Sequence, residues 1–170
     1  MPASTHRIEP LTRQHDRQAF SCGSEALDRY LQQQARQDAD KHVAAPFVLV
    51  DPPATTVLGY YTLSASMLSV DDIAPALAKK LPRYPQLPVT LIGRLAVDAR
   101  CKGQGRGELL LMDALYRSLA HAAEIAAMAV VVEAKDEAAA AFYRHFDFAP
   151  LQANARRLYL PMKTVAALLG

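Results

Sequence analysis

Apolar residues recur at two spacings in the first half of the chain, either three to four residues apart or in short extended runs. Between residues 21 and 42 they follow the helical spacing, and Ser24 stands in the position of a helix N-cap. The apolar runs PFVLVD and VLGYYTLSAS flank PPATT, a pattern that predicts a β-hairpin. A capped helix is therefore predicted before an antiparallel strand pair, and its single apolar stripe comprises Ala26, Leu27, Tyr30, Leu31 and Ala35.

The middle of the chain contains several prolines that limit its secondary structure. The segment DDIAPALAKKL, residues 71–81, predicts a short helix, because its acidic residues come first and its lysines last, as the helix dipole prefers. The segment PRYPQLP, residues 82–88, contains three prolines and cannot continue that helix. An extended connector is expected there.

The second half alternates between apolar strands and amphipathic helices. A strand–helix–strand order implies a right-handed crossover between parallel neighbours. Combined with the hairpin, it predicts an α/β (α+β) fold with a mixed antiparallel and parallel sheet and helices on both faces. The predicted elements are a strand over 89–99, a helix over 107–123, a buried strand over 125–134, a helix over 136–146 capped by Asp136, a strand over 156–162 and a helix over 163–169.

Length and composition narrow the class of protein. A chain of 170 residues that is 51% hydrophobic and 21% charged suits one folded domain spanning residues 1–170. The net charge of +2 is compatible with an anionic cofactor or an RNA partner, but it is too small to establish either. The two cysteines are too few for a disulfide framework or a cysteine-rich zinc site, and no metal is expected.

Targeting signals are not evident in the sequence. The first ten residues, MPASTHRIEP, lack the apolar segment of a signal peptide. The longest apolar run, residues 125–132, is far too short to cross a membrane. A soluble cytoplasmic protein without a membrane partner is therefore expected.

Three glycines stand at alternate positions between a predicted strand and a predicted helix, in RCKGQGRGELLL. Peptide N–H groups in such a turn form a concave anion site, and glycine permits a positive φ and close approach of a phosphate. A Walker loop is excluded because Gly107 is followed by Glu108, and the spacing also differs from a dinucleotide-binding fingerprint. A glycine-rich turn that binds nothing is the alternative interpretation.

The pattern Arg100-x-x-Gly103-x-Gly105 resembles the pyrophosphate loop of GNAT-family N-acetyltransferases. The resemblance implies acetyl-coenzyme A as co-substrate, with its pyrophosphate bound by loop amides. It also implies that the main chain of the preceding strand holds the pantetheine arm. The residues so assigned are Lys102, Gly103, Gln104, Gly105, Arg106 and Gly107 in the loop, with Lys102 and Arg106 adding positive charge, and Leu95, Ala96 and Val97 in the strand.

The segment DEAAAAFYRHFDF is similar to the next helix of that family, N-x-x-A-x-x-F-Y-x-x-x-G-F. Asp136 and Phe142 match positions that the resemblance assigns to the cofactor site, with Asp136 in place of asparagine. Asp147 replaces the glycine, and aspartate tolerates a left-handed helix terminus better than most residues. Tyr143 is implied to be the catalytic acid, because a phenol stays protonated at neutral pH and can donate to a leaving thiolate. A core-packing role for Tyr143 is the alternative.

A narrower resemblance covers nearly the whole chain, to the GNAT toxins of type II toxin–antitoxin modules. It is carried by AFSCGSEALDRYLQQQA, GYYTLS, IGRLAVD, AFYRHFDF and RLYLPMK in that order. It implies acetylation of the α-amine of aminoacyl-tRNA, inhibition of translation, and neutralisation by a ribbon-helix-helix antitoxin. Oligomeric state, including a possible homodimer, and the choice of aminoacyl-tRNA stay open. The residues matching the opening motif are Phe20, Cys22, Gly23, Leu27, Asp28, Tyr30 and Leu31.

Basic side chains are candidates for contacts to RNA phosphates, which anchor a nucleic acid without reading its sequence. Arg94 is the best placed, because it lies on the predicted cofactor strand. No general base is evident; Glu133 ends a strand, and a bound water is the alternative. The candidate substrate residues are Lys79, Lys80, Arg83 and Arg94, and Arg144 and His145 could complete the same basic rim around the acceptor site.

Other functions remain compatible with these motifs. An acetyltransferase for a small amine, such as a polyamine or an aminoglycoside, would favour an acidic acceptor cleft, and the basic connector argues against it. Acetylation of a protein N-terminus is a second alternative. A non-catalytic module that binds coenzyme A is a third, and retention of both Tyr143 and the loop argues against it.

Overall fold

The computed structural model describes residues 6–170. Residues 1–5, part of the N-terminal stretch without signal-peptide features, lie outside the described residues. Within the described chain, seven strands form one sheet in the order β1-β2-β3-β4-β5-β7-β6. The strands are β1 (Arg7–Pro10), β2 (Ala45–Val50), β3 (Gly59–Ser69), β4 (Gln86–Val97), β5 (Ala129–Glu133), β6 (Ala149–Pro150) and β7 (Arg157–Pro161).

Helices occupy the connections between these strands. The first is a composite in which α1 and α2 are joined by one π-helical turn, Tyr30–Gln34, and short 3₁₀ turns span Val70–Asp72 and Ala99–Cys101. The α-helices are α1 (Glu25–Arg29), α2 (Ala35–Asp40), α3 (Pro75–Ala78), α4 (Arg106–His121), α5 (Glu137–His145) and α6 (Met162–Leu169).

The chain divides into two compact units. The first comprises the chain up to Ser64 together with Gly93–Ala114. Its strands β1, β2 and β3 are antiparallel, with Ile8 opposite Leu49 and Phe47 opposite Tyr61. The composite helix covers a buried cluster because its apolar stripe is continuous. This cluster includes Phe20, Tyr30, Leu31, Val48, Tyr60 and Ala96.

The second unit comprises Ala65–Ile92 and Leu115–Gly170. Strands β4 and β5 run parallel, with a register from Thr90 opposite Val130 to Ile92 opposite Val132. Strand β7 pairs antiparallel with both β5 and β6. Because β5 is covered on both faces, Ala129 to Val132 are all fully buried.

The structure confirms the mixed sheet, the antiparallel pair in the first half and the parallel pair that the strand–helix–strand order predicts. It also confirms two caps: Ser24 accepts a hydrogen bond from the backbone N–H of Leu27, and Asp136 from that of Ala139. Both side chains satisfy N–H groups that a helix start leaves without partners.

Several predicted boundaries are wrong. The helix predicted over 71–81 is α-helical at Pro75–Ala78 alone, because a proline at its first turn and prolines beyond it limit its length. The end of the predicted connector belongs to β4, which begins at Gln86. The strand predicted over 125–134 begins at Ala129, and Ile125 is 80% exposed. Strand β1 was not predicted, since four residues carry too short a pattern.

Among the described residues, no helix combines the length and the apolar character needed to cross a membrane.

Candidate active site

Strand β4 leads directly into the glycine loop through a short 3₁₀ turn, and Asp98 fixes this junction. Its carboxylate is 1% exposed and accepts hydrogen bonds from the backbone N–H groups of Ser21 (3.1 Å) and Arg100 (2.9 Å). The Arg100 guanidinium adds two more, from Nε at 2.8 Å and Nη2 at 3.1 Å. Burial opposes ionisation of Asp98, but the hydrogen bonds from Arg100 and Ser21 outweigh it and hold the pKa of this carboxyl below its usual range.

The loop after this junction has backbone conformations that favour glycine. Gly103 and Gly105 have φ angles of 78° and 73°, a region that side-chain-bearing residues rarely adopt. A Cβ at either glycine would meet no heavy atom of the described residues within 4 Å, so the space beside the loop is open. Gly107 differs, because it already belongs to α4, which begins at Arg106. Two of the three glycines therefore shape the loop.

The charges around the loop are distributed differently from the expectation. Arg106 donates to both carboxylate oxygens of Asp51, each at 3.2 Å, so its positive charge is largely balanced. Arg100 is held by Asp98, and Gln104 is exposed with its amide 3.5 Å from the carbonyl of Arg100. Lys102 is exposed, and its Nζ lies 3.5 Å from where a Cβ on Gly23 would stand. Among the described residues, Lys102 is thus the cation at the rim that has no carboxylate within 4.0 Å.

The strand residues assigned to the pantetheine arm lie at the end of β4. Leu95 and Val97 are half-buried, whereas Ala96 packs into the buried cluster that contains Tyr30 and Tyr60. A Cβ on Gly59 would come within 3.1 Å of the carbonyl oxygen of Ala96. Glycine at 59 therefore permits the close approach of β3 to this part of β4.

Tyr143 lies on α5 and is 5% exposed. Its ring contacts Phe142 edge-on at 5.3 Å between centroids and Phe148 at 5.6 Å. Burial raises the pKa of the Tyr143 phenol, so the hydroxyl stays protonated at physiological pH. The core-packing interpretation and the acid interpretation both fit this environment, because the ring is packed and its proton is retained.

The two departures from the family pattern in this helix are accommodated locally. Asp136 caps α5 in an extended conformation, and its carboxylate accepts from the Ala139 N–H at 2.8 Å. Asp147 adopts the left-handed conformation, with φ at 71°, as predicted for a residue in the place of glycine. Phe142 is half-buried between Tyr143 and Phe146.

The candidate substrate residues fall into both units. Lys79, Lys80 and Arg83 are exposed in the second unit, at the end of α3 and in the segment before β4. Arg94 lies in the first unit on β4, with its guanidinium carbon 3.5 Å from the centroid of the Tyr30 ring. These four candidate residues therefore do not all belong to the same unit.

Two other candidate residues, Arg144 and Glu133, have partners within the second unit. Arg144 is paired with Glu137 at 2.5 Å on the exposed face of α5. Glu133, considered as a general base, lies 3.6 Å from Arg157 of β7, which stands directly opposite it in the sheet.

Sequence reasoning missed the two aspartates that organise the loop. Asp98 directly follows the strand RLAV, so its position at a strand end was a usable signal. Asp51 lies 55 residues before its partner Arg106, and no local pattern connects them. Within the described residues, no group of three or more His, Cys, Asp or Glu side chains is placed to hold a metal ion.

Strand β4 pairs in parallel with β5, and the glycine loop with positive φ at Gly103 and Gly105 follows the end of β4. The sequence pattern of the Acetyltransferase (GNAT) family matches residues 11–148. The chain therefore belongs to this family of acetyltransferases.

Two curated relatives match most of the chain. A probable toxin TacT from Sinorhizobium fredii is 29% identical over 176 aligned positions, which cover 99% of this chain and 97% of the relative. A tRNA-acetylating toxin from Mycobacterium tuberculosis is 34% identical over 152 positions, covering 89% of each protein.

Solved structures agree with these relatives. AtaT complexed with acetyl-methionyl-tRNAfMet superposes with a TM-score of 0.90 at 31% identity, covering 97% of this chain and 99% of AtaT. A tyrosine-to-phenylalanine mutant of the toxin AtaT, bound to the C-terminus of the antitoxin AtaR and acetyl-CoA, has a TM-score of 0.82 at 29% identity, with coverages of 97% and 98%. The likeness extends over the full length of each structure.

Proposed function

We propose that this acetyltransferase uses acetyl-coenzyme A to acetylate the α-amine of aminoacyl-tRNA and thereby blocks translation. The observation that carries the proposal is the end-to-end similarity to a tRNA-acetylating toxin and to a toxin solved with an acetylated aminoacyl-tRNA. Similarity confined to the glycine loop would support any substrate of the family. Similarity along the whole chain supports a shared acceptor as well.

The loop from Lys102 to Gly107 is proposed to bind the pyrophosphate of acetyl-coenzyme A. The proposal is supported by the positive φ angles at Gly103 and Gly105, which are typical of backbone anion sites, and by the open space beside both glycines. The start of α4 adds the positive end of a 16-residue helix. Lys102 adds an exposed cation at the rim, whereas the charge of Arg106 is already balanced by Asp51.

The remaining cofactor residues are proposed to act along the strand and helix that follow the family pattern. The main chain of Leu95, Ala96 and Val97 would hold the pantetheine arm, since a strand end presents N–H and C=O groups at regular spacing. Asp136 and Phe142 are assigned to the same site by the match of α5 to the family helix. A backbone N–H near Leu95 or Ala96 would donate to the tetrahedral oxyanion.

Tyr143 is proposed to be the general acid. The thioester supplies an activated acetyl group; the acceptor nitrogen forms a bond to the carbonyl carbon, and the carbon–sulfur bond then breaks. Tyr143 donates its hydroxyl proton to the departing sulfur. A buried phenol suits this role, because burial keeps the proton in place until an anion forms next to it.

A strong base is not required for this acceptor. The α-amine of an aminoacyl ester is less basic than a lysine side chain, so a larger share of it is neutral at physiological pH. Glu133 already has an ion-pair partner in Arg157. A bound water is therefore proposed to accept the proton of the amine.

The partners follow from the same similarity. A ribbon-helix-helix antitoxin is proposed to neutralise the protein, supported by the likeness to a toxin solved with the C-terminus of its antitoxin. The whole chain, residues 1–170, is proposed to act as one catalytic domain. Since charged tRNA is used in the cytoplasm, the protein is proposed to act there.

The test is incubation of the purified protein with labelled acetyl-coenzyme A and total charged tRNA, followed by identification of the acetylated amino acid. We expect label on the α-amine of one or a few aminoacyl-tRNAs. Spermidine and a peptide with a free N-terminus are offered in parallel. If every aminoacyl-tRNA stayed unmodified while one of these was acetylated efficiently, the chain would remain a GNAT enzyme with a different acceptor.

A further inference from the structure

Arg94 is stacked on an aromatic ring rather than paired with a carboxylate. Its guanidinium carbon lies 3.5 Å from the centroid of the Tyr30 ring, within the range of a cation–π contact. In the part of the chain that the structure describes, the guanidinium forms no hydrogen bond and no ion pair within 4.0 Å. The contact uses one face of the planar group and leaves its N–H edges available.

Tyr30 is itself held rigidly. It opens the π-helical turn, where the backbone N–H of Ala35 donates to the carbonyl of Tyr30 five residues earlier. Its hydroxyl donates to Asp38 at 2.7 Å, and the amide of Gln34 donates to the other carboxylate oxygen of Asp38 at 2.9 Å. Its ring stacks on the fully buried Tyr60 at 6.2 Å between centroids. The ring under Arg94 is therefore fixed from three directions.

The π-helical turn lies between the two partners of this hydrogen bond. It begins at Tyr30, and Asp38 follows it in α2. π-helical turns are rare within α-helices, and they occur often at functional sites. Here the turn begins at Tyr30, whose ring is the one that Arg94 stacks on.

An arginine stacked on a fixed ring presents two parallel N–H groups, which match two oxygens of a phosphate. Arg94 also lies on β4 directly before Leu95, where the proposed cofactor strand begins. Because side chains alternate along a strand, Arg94 and Ala96 face the same side of the sheet, the side covered by the composite helix. The guanidinium therefore projects beside the strand that is proposed to present the thioester.

We propose that the Arg94–Tyr30 pair is a preformed fork for a phosphate of the 3′-terminal CCA end of the acceptor RNA. In this arrangement Arg94 contacts the substrate, and Tyr30, held by Asp38, is a positioning residue. The inference rests on the proposed function, since it names which part of the charged tRNA this residue recognises. It predicts that recognition depends on phosphate near the aminoacyl group, not on the amino acid.

The experiment compares two stable acceptors that differ in phosphate. One is adenosine with an amide-linked amino acid at its 3′ position and no phosphate. The other is the same aminoacyl group on a CCA trinucleotide. The kcat/KM for acetylation of each is measured, together with the affinity for acetyl-coenzyme A by calorimetry. Binding of uncharged, dye-labelled CCA trinucleotide is measured by anisotropy, which requires no acetylation.

The variants separate charge, fork geometry and stacking. For the trinucleotide, Arg94→Gln should lower kcat/KM about 10- to 100-fold, and Arg94→Lys nearly as much, because lysine keeps the charge but not the fork. Tyr30→Leu should lower it about 3- to 30-fold through loss of stacking, and Tyr30→Phe should restore most of that loss. Arg29→Gln removes the same charge from the exposed side of α1 and serves as the matched control.

For the adenosine acceptor and for acetyl-coenzyme A, the Arg94 variants should match the wild type within about twofold. Equal losses on both acceptors would overturn the proposal, because Arg94 would then act on chemistry or folding. A weakened affinity for acetyl-coenzyme A would assign the fork to the co-substrate instead. If the wild type acetylated neither acceptor, the proposed function would fail, and the anisotropy measurement would still decide whether Arg94 contacts RNA phosphate.

Discussion

Replacement of Asp98 by asparagine tests whether one buried carboxylate holds the glycine loop in place. Both oxygens of Asp98 accept hydrogen bonds: Oδ2 from the Ser21 N–H and Arg100 Nη2, and Oδ1 from the Arg100 N–H and Nε. An asparagine keeps one acceptor oxygen, but its amide nitrogen faces two donors. Two charge-assisted bonds are therefore lost.

The structure sets the size of this loss. A hydrogen bond to a charged group is worth about 1.5 to 3 kcal/mol, and the one to Ser21 N–H should count fully because Asp98 is 1% exposed. The bond to the Arg100 side chain counts for less, since that side chain is 53% exposed and water competes for it. We expect a loss of about 2 to 4 kcal/mol in the free energy of unfolding.

The assay is urea unfolding of both proteins, with acetyl-coenzyme A affinity measured by calorimetry under native conditions. Arg100→Ala is the matched control: it removes the exposed cation but leaves both backbone N–H donors to Asp98, so it should cost about 1 kcal/mol or less. Asp98→Asn should weaken acetyl-coenzyme A binding more than Arg100→Ala does. Equal stability of Asp98→Asn and wild type would refute the reasoning that this carboxylate holds the junction.

The same carboxylate predicts a pH dependence. Its pKa is lower in the folded protein than in the unfolded chain, so the unfolded state takes up the proton first as the pH falls. The stability contributed by Asp98 is present above the unfolded pKa and is lost as the pH falls through the folded pKa. The stability difference between wild type and Asp98→Asn should therefore be full at neutral pH and shrink in acid; a difference that grew in acid would contradict this sign.

Three further predictions concern the proposed catalytic roles. Gly105→Asp places a Cβ on a residue with positive φ and a negative charge in the anion site, so acetyl-coenzyme A affinity should fall about 100-fold or more in a folded protein, as measured by calorimetry. Tyr143→Phe keeps the packed ring and removes the proton, so kcat should fall about 100-fold or more with near-normal acetyl-coenzyme A binding in steady-state and calorimetric assays. Reversal of Lys79, Lys80 and Arg83 to glutamate should weaken tRNA binding and flatten its log–log salt dependence by roughly 2 to 3, about 0.7 to 0.9 per phosphate contact.

Each of these has a contrary outcome. Unchanged acetyl-coenzyme A affinity in folded Gly105→Asp would remove the pyrophosphate assignment. Equal losses of binding and turnover in Tyr143→Phe would favour the core-packing role, and full activity would exclude the acid role. An unaltered salt slope in the triple variant would exclude Lys79, Lys80 and Arg83 as phosphate contacts.

Local sequence signals predicted the elements that depend on nearby residues. Ser24 and Asp136 were predicted as caps and are caps, because a cap is a contact within one turn. The positive φ at Asp147 was likewise predicted from its place at a helix end. Prediction failed at the ends of 71–81, where the α-helix is limited to Pro75–Ala78, and at 125–128, where apolar residues precede the strand and Ile125 is 80% exposed.

By itself, the sequence determined the order of helices and strands, the glycine loop between β4 and α4, and the family to which the chain belongs. These depend on spacing and on short motifs, which a linear chain displays directly. The tertiary structure alone decided which charges remain available: Arg106 is balanced by Asp51, Arg100 is held by Asp98, and Arg94 lies stacked on Tyr30. The physical reason is that an ion pair or a stacked ring depends on distance in space, and these partners are brought together by the packing of strands and helices that are remote in sequence.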